Sequence, residues 1–285
     1  MNTLFVFGLG YSASFFAKQA LAKGWRVTGT MREVQQIDGI EVFSFDGEKH
    51  FEDFAGRLKD VTHVLHSIPP HKETGDCVYN LHRKHLARLE NLKWMGYLST
   101  TGVYGNADGA MVDEDHERNP GSARSCARKA AEDGWLGTGL PVHLFRLAGI
   151  YGPGSSMFDQ IRKGRARAID KPGHVFSRIH REDIAGVLWA SINKPNPPRA
   201  YNVCDDDPCE PIRVLEYASQ LMGRDMPVVK SFEEAAKEMS PMALTFWQDN
   251  KRVDNSRMKN ELGYQLKYPT FKAGLDAIWA EEEGA

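Results

Sequence analysis

The sequence has no long apolar run, no excess of charge of either sign and no closely spaced cysteine pair, and each lack removes a class of function. No stretch approaches the roughly 20 consecutive apolar residues that a bilayer-spanning helix needs. The first apolar segment, residues 3–7, lacks the basic flank and cleavage site of a secretory signal, so a cytoplasmic protein with no membrane partner is expected. Lys and Arg total 36 against 38 Asp and Glu, a net charge of −2, which leaves no electrostatic footprint for a nucleic-acid partner. The four cysteines, Cys77, Cys126, Cys204 and Cys209, form no C-x-x-C pair, which argues against a zinc knuckle or a thioredoxin-like site. Cys204 and Cys209 bracket Asp205, Asp206, Asp207 and Pro208. With no histidine in that stretch, it reads as a strand end and an acidic turn, and no metal site is expected.

What the sequence does contain is alternation. Apolar or β-branched runs at residues 4–7, 26–30, 41–45, 63–68, 94–99 and 142–147 are separated by helical stretches. This predicts an α/β fold of the Rossmann type, a doubly wound parallel sheet covered by helices on both faces. One helix should start at the N-cap Asp76, carry Val78, Leu81, Leu86, Leu89 and Leu92 on or near one stripe, and stop before Gly96; another should run from about Ser122 to Trp135. After residue 150 Pro and Gly are more frequent, and short helices are expected at 181–193, 211–222 and 232–239 with an amphipathic one at 271–282. The expected organisation is a dinucleotide-binding Rossmann domain over 1–150. Residues 151–285 would form mainly a smaller substrate-binding lobe, with some segments returning to the sheet.

Gly8-Leu9-Gly10-Tyr11-Ser12-Ala13 follows the first strand and opens a helix, in the G-x-G-x-x-A pattern of a dinucleotide-binding turn. Gly8 would allow the tight turn and Gly10 a close approach of a pyrophosphate. The backbone at Tyr11 and Ser12 would face the anion, and Ala13 is small enough for the helix to pack on the strand. A turn without a ligand is the plain alternative. Where an NAD-preferring site usually carries Asp or Glu at the end of strand two, this chain reads Thr28-Gly29-Thr30-Met31-Arg32. With no carboxylate to repel a 2′-phosphate and Arg32 to pair with it, NADP is expected over NAD, unless Arg32 is only a solvated loop cation. Asp46 is placed to reach an adenine amine, though an Asp-Gly turn explains it equally well. At the exit of strand four, Ser67 is a candidate cofactor contact. His66 and His71 could serve as a substitute acid/base, against a plain role as loop histidines.

Several further segments together resemble the extended short-chain dehydrogenase/reductase family, the NAD(P)-dependent epimerase/dehydratase group, over nearly the whole chain. They are Leu98-Ser99-Thr100-Thr101-Gly102-Val103-Tyr104-Gly105, Val112-Asp113-Glu114, Arg146-Leu147-Ala148-Gly149-Ile150-Tyr151-Gly152-Pro153-Gly154, Arg178-Ile179-His180-Arg181-Glu182-Asp183 and Tyr201-Asn202-Val203. The resemblance implies a Ser or Thr and a Tyr that hold a substrate oxygen beside the nicotinamide, with a Lys that lowers the Tyr pKa. It puts Thr100 in the Ser/Thr role. Ser99 is a candidate beside the cofactor, and Arg146, Tyr151, Arg178 and His180 are candidate substrate contacts, with Asp183 a further one, although the resemblance treats the segment of Tyr151 as scaffold. A homodimer through the helices near 76–93 and 121–136 would be in keeping with it.

The Tyr-x-x-x-Lys pair is where this chain departs from the pattern. Anchoring the spacing on Glu132 places Arg124 at the Tyr and Arg128 at the Lys, and sliding by one gives Ser125 and Lys129; neither register contains a tyrosine. The literal match Tyr268-Pro269-Thr270-Phe271-Lys272 lies at the far C-terminus and is rejected. Arginine holds its proton at any usable pH, so it does not replace a tyrosine as proton shuttle, although it can hold a phosphate or an anionic substrate. The chain thus looks like an atypical branch of the family. Two readings follow: an NADP(H)-dependent oxidoreductase or epimerase acting on a nucleotide sugar or another small polar alcohol or carbonyl, or an inactive NADP(H)-sensing or scaffolding protein.

Overall fold

The computed structural model describes residues 1–50 and 53–283. Its centre is a seven-stranded sheet. In chain order the strands are β1 (Thr3–Phe7), β2 (Arg26–Met31), β3 (Glu41–Ser44), β4 (His63–His66), β5 (Trp94–Thr100), then Val142–Leu147 and Arg199–Val203. From one edge they lie in the order Arg199–Val203, Val142–Leu147, β5, β4, β1, β2, β3. The pairs β1/β2, β2/β3, β1/β4 and β4/β5 are all parallel. Leu4, Phe5, Val6 and Phe7 are wholly buried, as a parallel strand covered on both faces requires. Strand order reverses between β1 and β4, so the carboxyl ends of these two strands, Phe7 and His66, flank the crevice position where ligands of open α/β sheets bind.

The helices α1 (Tyr11–Ala22), α2 (Phe54–Leu58), α3 (Cys77–Leu86) and α4 (Ala123–Leu136) belong to the same unit as the sheet. The Asp76 carboxylate accepts the N–H groups of Val78 and Tyr79, and the Ser122 hydroxyl accepts that of Ser125, so both caps read from the sequence form. α3 ends at Leu86, one to two turns before the apolar stripe does. The N–H groups of Arg88 and Leu89 bond three residues back, to His85 and Leu86, and this tighter winding still delivers Leu89 and Leu92 to the core beside Val78 and Leu86. The helix expected at 232–239 spans only Phe232–Ala236, because Ser240 caps a new one at Pro241–Phe246.

The chain divides into two interleaved compact units. Met1–Val103, Ser122–Arg146 and Ala185–Tyr201 make one; Tyr104–Gly121, Leu147–Ile184 and Asn202–Ala285 make the other. In the second, strand Gly149–Tyr151 pairs in parallel with Arg178–His180. A core of Phe158, Val214, Ala218, Phe271, Leu275 and Ile278 binds the helices Met157–Arg162, Pro211–Leu221 and Phe271–Glu283 together. Among the described residues no helix is long and apolar enough to cross a membrane.

Candidate functional site

The turn after β1 is held from two sides. Gly8 has φ of +85°, and a Cβ there would lie 2.7 Å from Ile68 Cγ1 and 3.2 Å from Ser67 Oγ, so only glycine fits. The Gly8 N–H donates to Thr30 Oγ1 (3.0 Å), the Ser67 hydroxyl donates to the Gly8 carbonyl (2.5 Å), and the Leu9 N–H donates to the Thr30 carbonyl (2.8 Å). Ser67, expected at a cofactor, therefore also braces the turn. Gly10 is different. Its φ is −84°, which any residue adopts, and a Cβ there would meet nothing within 4 Å. Among the described residues nothing demands glycine at position 10, and a Cβ there would enter open space.

α1 starts immediately afterwards with no side-chain cap and no acidic residue in its first turn, which leaves the positive end of the helix for an anion. The Ser12 hydroxyl is buried and has no hydrogen-bond partner among the described residues, and Ala13 is buried against the sheet. These features fit a dinucleotide pyrophosphate. At the end of β2, Thr30 is 1% exposed and its hydroxyl serves the turn, so the position that would carry a ribose-binding carboxylate is structural here. Arg32 follows on the exposed side. Asp46 is exposed and accepts the Glu48 N–H (2.9 Å), which is the turn-forming role weighed for it.

The two histidines at and beyond the end of β4 are placed differently. His66 is fully buried, and its Nε2 lies 2.8 Å from Asp76 Oδ2, which also accepts Trp135 Nε1–H at 2.8 Å. Burial pushes the Asp76 carboxyl up, but the adjacent His66 and these hydrogen bonds outweigh it and hold its pKa below the usual value. His66 is thus part of a buried cap and not an accessible acid/base. His71 is exposed and its Nδ1 accepts the N–H groups of Glu73 and Thr74 (3.3 and 3.4 Å).

On the β5–α4 face, Thr100 Oγ1 accepts the Gly102 N–H (3.1 Å). A Cβ on Gly102 would come within 2.9 Å of Ser125 Oγ and 3.4 Å of Thr100 Oγ1, so both hydroxyls border this glycine. Arg128 donates to the Tyr97 hydroxyl (3.1 Å) and the Leu98 carbonyl (2.9 Å), which brings its guanidinium onto β5. Arg124 is exposed, and Lys129 pairs with Asp133 (3.0 Å). Helix rotation therefore brings Ser125 and Arg128, three residues apart, to β5 with Thr100, and takes one residue from each of the two registers that the sequence allows.

Two assignments need correction. Arg146, expected at a substrate, is 3% exposed and forms a buried ion pair with Glu132 (Nη2–Oε2 2.9 Å). Ser99, expected at the cofactor, is 4% exposed and donates to the other oxygen of the same carboxylate (2.5 Å). A wholly buried carboxylate requires a counter-charge and hydrogen-bond donors, and these two side chains supply them. Nothing local to Glu132 signals this role, which depends on pairing with a residue 14 positions away.

In the second unit a cavity of about 220 Å³ is lined by Tyr151, Ser155, Gln160, Arg178, Phe271 and Leu275, among others. The Tyr151 hydroxyl is buried without a partner among the described residues, packed where a Cβ on Gly274 would clash, and burial raises its pKa. His180 is 1% exposed, between the rings of Tyr151 (5.1 Å) and Tyr268 (4.2 Å); burial lowers its pKa to about 4, so it is neutral. The Arg178 guanidinium donates to the Phe176 carbonyl (2.9 Å) and lies 3.2 Å from Cys209 Sγ. Asp183, a candidate substrate contact, instead accepts the Tyr264 hydroxyl and the N–H groups of Lys267 and Tyr268, and anchors that segment. Asp205, read from the sequence as part of an acidic turn, is 1% exposed; burial raises its pKa to about 8 against the opposing charge of Arg178.

No family model matches the chain. A curated relative, protein YeeZ of Escherichia coli (strain K12), is 27% identical over 288 residues, covering 94% of this chain and 97% of YeeZ. Two solved structures of low identity share the fold. MoeE5 in complex with UDP-glucuronic acid and NAD is 18% identical with a TM-score of 0.81, over 99% of this chain and all of that one. The dTDP-glucose 4,6-dehydratase from Bacillus anthracis str. Ames in complex with NAD is 18% identical with a TM-score of 0.79, over 99% and 97%. A functionally unknown conserved protein from Silicibacter pomeroyi DSS is much nearer, 44% identical with a TM-score of 0.90 over 99% of this chain and 100% of that one. At that identity over nearly the full length of both, the chain has the fold of these NAD-complexed proteins and belongs to the same family as the Silicibacter pomeroyi protein.

Proposed function

We propose that the protein binds NADP(H) at residues 8–13 and is an oxidoreductase or epimerase of the extended short-chain dehydrogenase type, acting on a nucleotide sugar or another small polar alcohol or carbonyl compound. The observation that carries the cofactor is Gly10, a glycine that no internal contact or backbone strain requires, at the mouth of an uncapped helix. Tyr11, Ser12 and Ala13 hold the pyrophosphate, Arg32 takes the 2′-phosphate, and Asp46 lies toward the adenine. The complexes of MoeE5 and the dehydratase contain NAD; the preference for NADP(H) rests on this chain's own Thr30 and Arg32.

When bound, the nicotinamide supplies reversible hydride exchange at a carbinol carbon. Thr100 and Ser125 orient the substrate oxygen with their hydroxyls. Arg128 acts as a fixed cation and does not shuttle a proton. Tyr151 and Arg178, which line the cavity of the second unit, recognise the polar part of the substrate, with His180 packed behind Tyr151. A second reading, an NADP(H) sensor or scaffold without chemistry, is favoured by one observation: α4 contains no tyrosine, and its inward cation is already committed to Tyr97 and Leu98.

The test follows NADPH absorbance at 340 nm with a panel of nucleotide sugars and carbonyl compounds, together with transfer of label from the cofactor hydride. Oxidation or label transfer with at least one member is expected. Tight NADPH binding with no turnover across the panel would establish the second reading, and no binding of either nicotinamide dinucleotide would overturn both.

A further inference from the structure

Three of the chain's ten histidines gather beside α3. His82 and His85 lie three residues apart on α3 and project from one side of it, and His50 arrives from the chain after β3. One ring nitrogen from each lies within 4.8 Å of the others, and His50 Nδ1 is 3.2 Å from His82 Nδ1. The His82 ring is fixed by a stack on Phe54 (centroids 4.1 Å apart, planes 3° apart) and by Phe7 and Phe45 at 5.7 and 5.4 Å. His85 Nδ1 is buried and has no hydrogen-bond partner among the described residues.

A hydrogen bond between His50 and His82 engages that pair alone, whereas a metal ion would draw one ring nitrogen from each of the three. Zn–N bonds of about 2.0–2.1 Å in a tetrahedral site set neighbouring ligand nitrogens about 3.3 Å apart. The His50–His82 pair already has that spacing, and bringing in the third nitrogen takes a shift of about 1.5 Å. His50 is exposed, so an ion can reach it from solvent. A set of three imidazoles, with no carboxylate among the described residues of the group, suits a borderline ion such as Zn²⁺ and disfavours Ca²⁺ or Mg²⁺.

We propose that His50, His82 and His85 form a binding site for a divalent transition-metal ion of the zinc class, tying the chain after β3 to α3. The site is independent of the cofactor reading. The expectation of no metal came from cysteine spacing, which carries no information about a histidine 32 residues from its nearest partner.

The test titrates the full-length, tag-free protein with Co²⁺, read by its visible absorption, and then displaces it with Zn²⁺. Saturation at one equivalent, with the bands of a four- or five-coordinate nitrogen site, is expected. His50→Ala and His85→Gln should each weaken binding by at least about tenfold, while His116→Ala, on an exposed loop, leaves it unchanged. The metal-free thermal transition of each variant shows that it is folded, and two independent variants guard against one failing to fold. Absence of saturable one-to-one binding, or binding indifferent to both His50→Ala and His85→Gln, would overturn the proposal and leave the trio a packing cluster.

Discussion

The glycine turn and the β5–α4 face lie in the same unit and differ in what makes them. The turn is built from backbone: two glycines, one small residue, and two hydroxyls that bond to the Gly8 amide and carbonyl. The β5–α4 face is built from side chains: no tyrosine is present on α4, and Arg128 bonds to Tyr97 and Leu98. A backbone site survives wherever the fold survives. A side-chain site lasts only as long as each residue does, so binding and chemistry need separate tests.

The largest expected effect is global and sets the pH window in which the two regions can be compared. His63, His143, His174 and His180 are nearly or fully buried, and burial lowers each pKa to about 4. As pH falls from 6.5 to 4 the unfolded chain takes up these protons before the folded one does, so stability is lost across that window, on the order of 3 kcal/mol for each. Asp205 works in the opposite sense. Its pKa of about 8 keeps it protonated in the fold while the unfolded chain releases the proton near pH 4, so it costs stability as pH rises from 4 to 8. Urea unfolding at pH 4.5, 6 and 7.5 checks both signs: steep acid loss in the wild type, and a gain at pH 7.5 in Asp205→Asn.

Next in size is Glu132→Ala, which strands the buried Arg146 charge and should cost about 3–5 kcal/mol in urea unfolding. A loss below about 1 kcal/mol would show that the side-chain network does not hold this face together. Gly8→Ala forces a Cβ against Ile68 at positive φ and should cost about 1–3 kcal/mol while abolishing cofactor binding. Smallest is Arg32→Ala. Stability should stay within about 0.5 kcal/mol, and the ratio of NADPH to NADH affinity should fall by about tenfold. An unchanged ratio would remove Arg32 from the cofactor.

How far the sequence foretold these regions follows the same division. The sheet strands were legible because apolar runs such as Leu4 to Phe7 are buried on both faces, and the α3 and α4 starts because Asp76 and Ser122 act on amides two or three residues away. The end of α3 was not, since tighter winding after Leu86 keeps Leu89 and Leu92 apolar without a helix. Of the candidate site, the turn could be read locally. The choice among Arg124, Ser125, Arg128 and Lys129 could not, because it depends on how α4 is rotated against β5. Nor could the use of Arg146 and Ser99 by Glu132, or the meeting of His50 with His82 and His85, which are long-range pairings without a periodic signal.

The most direct measurement is NADPH binding by fluorescence titration of the wild type beside Gly10→Ala. Because Gly10 has ordinary backbone angles and open space where a Cβ would go, the substitution should leave the unfolding midpoint unchanged and weaken NADPH by at least about tenfold. Equal affinity in the two proteins, or no binding by the wild type, would contradict a dinucleotide at this turn.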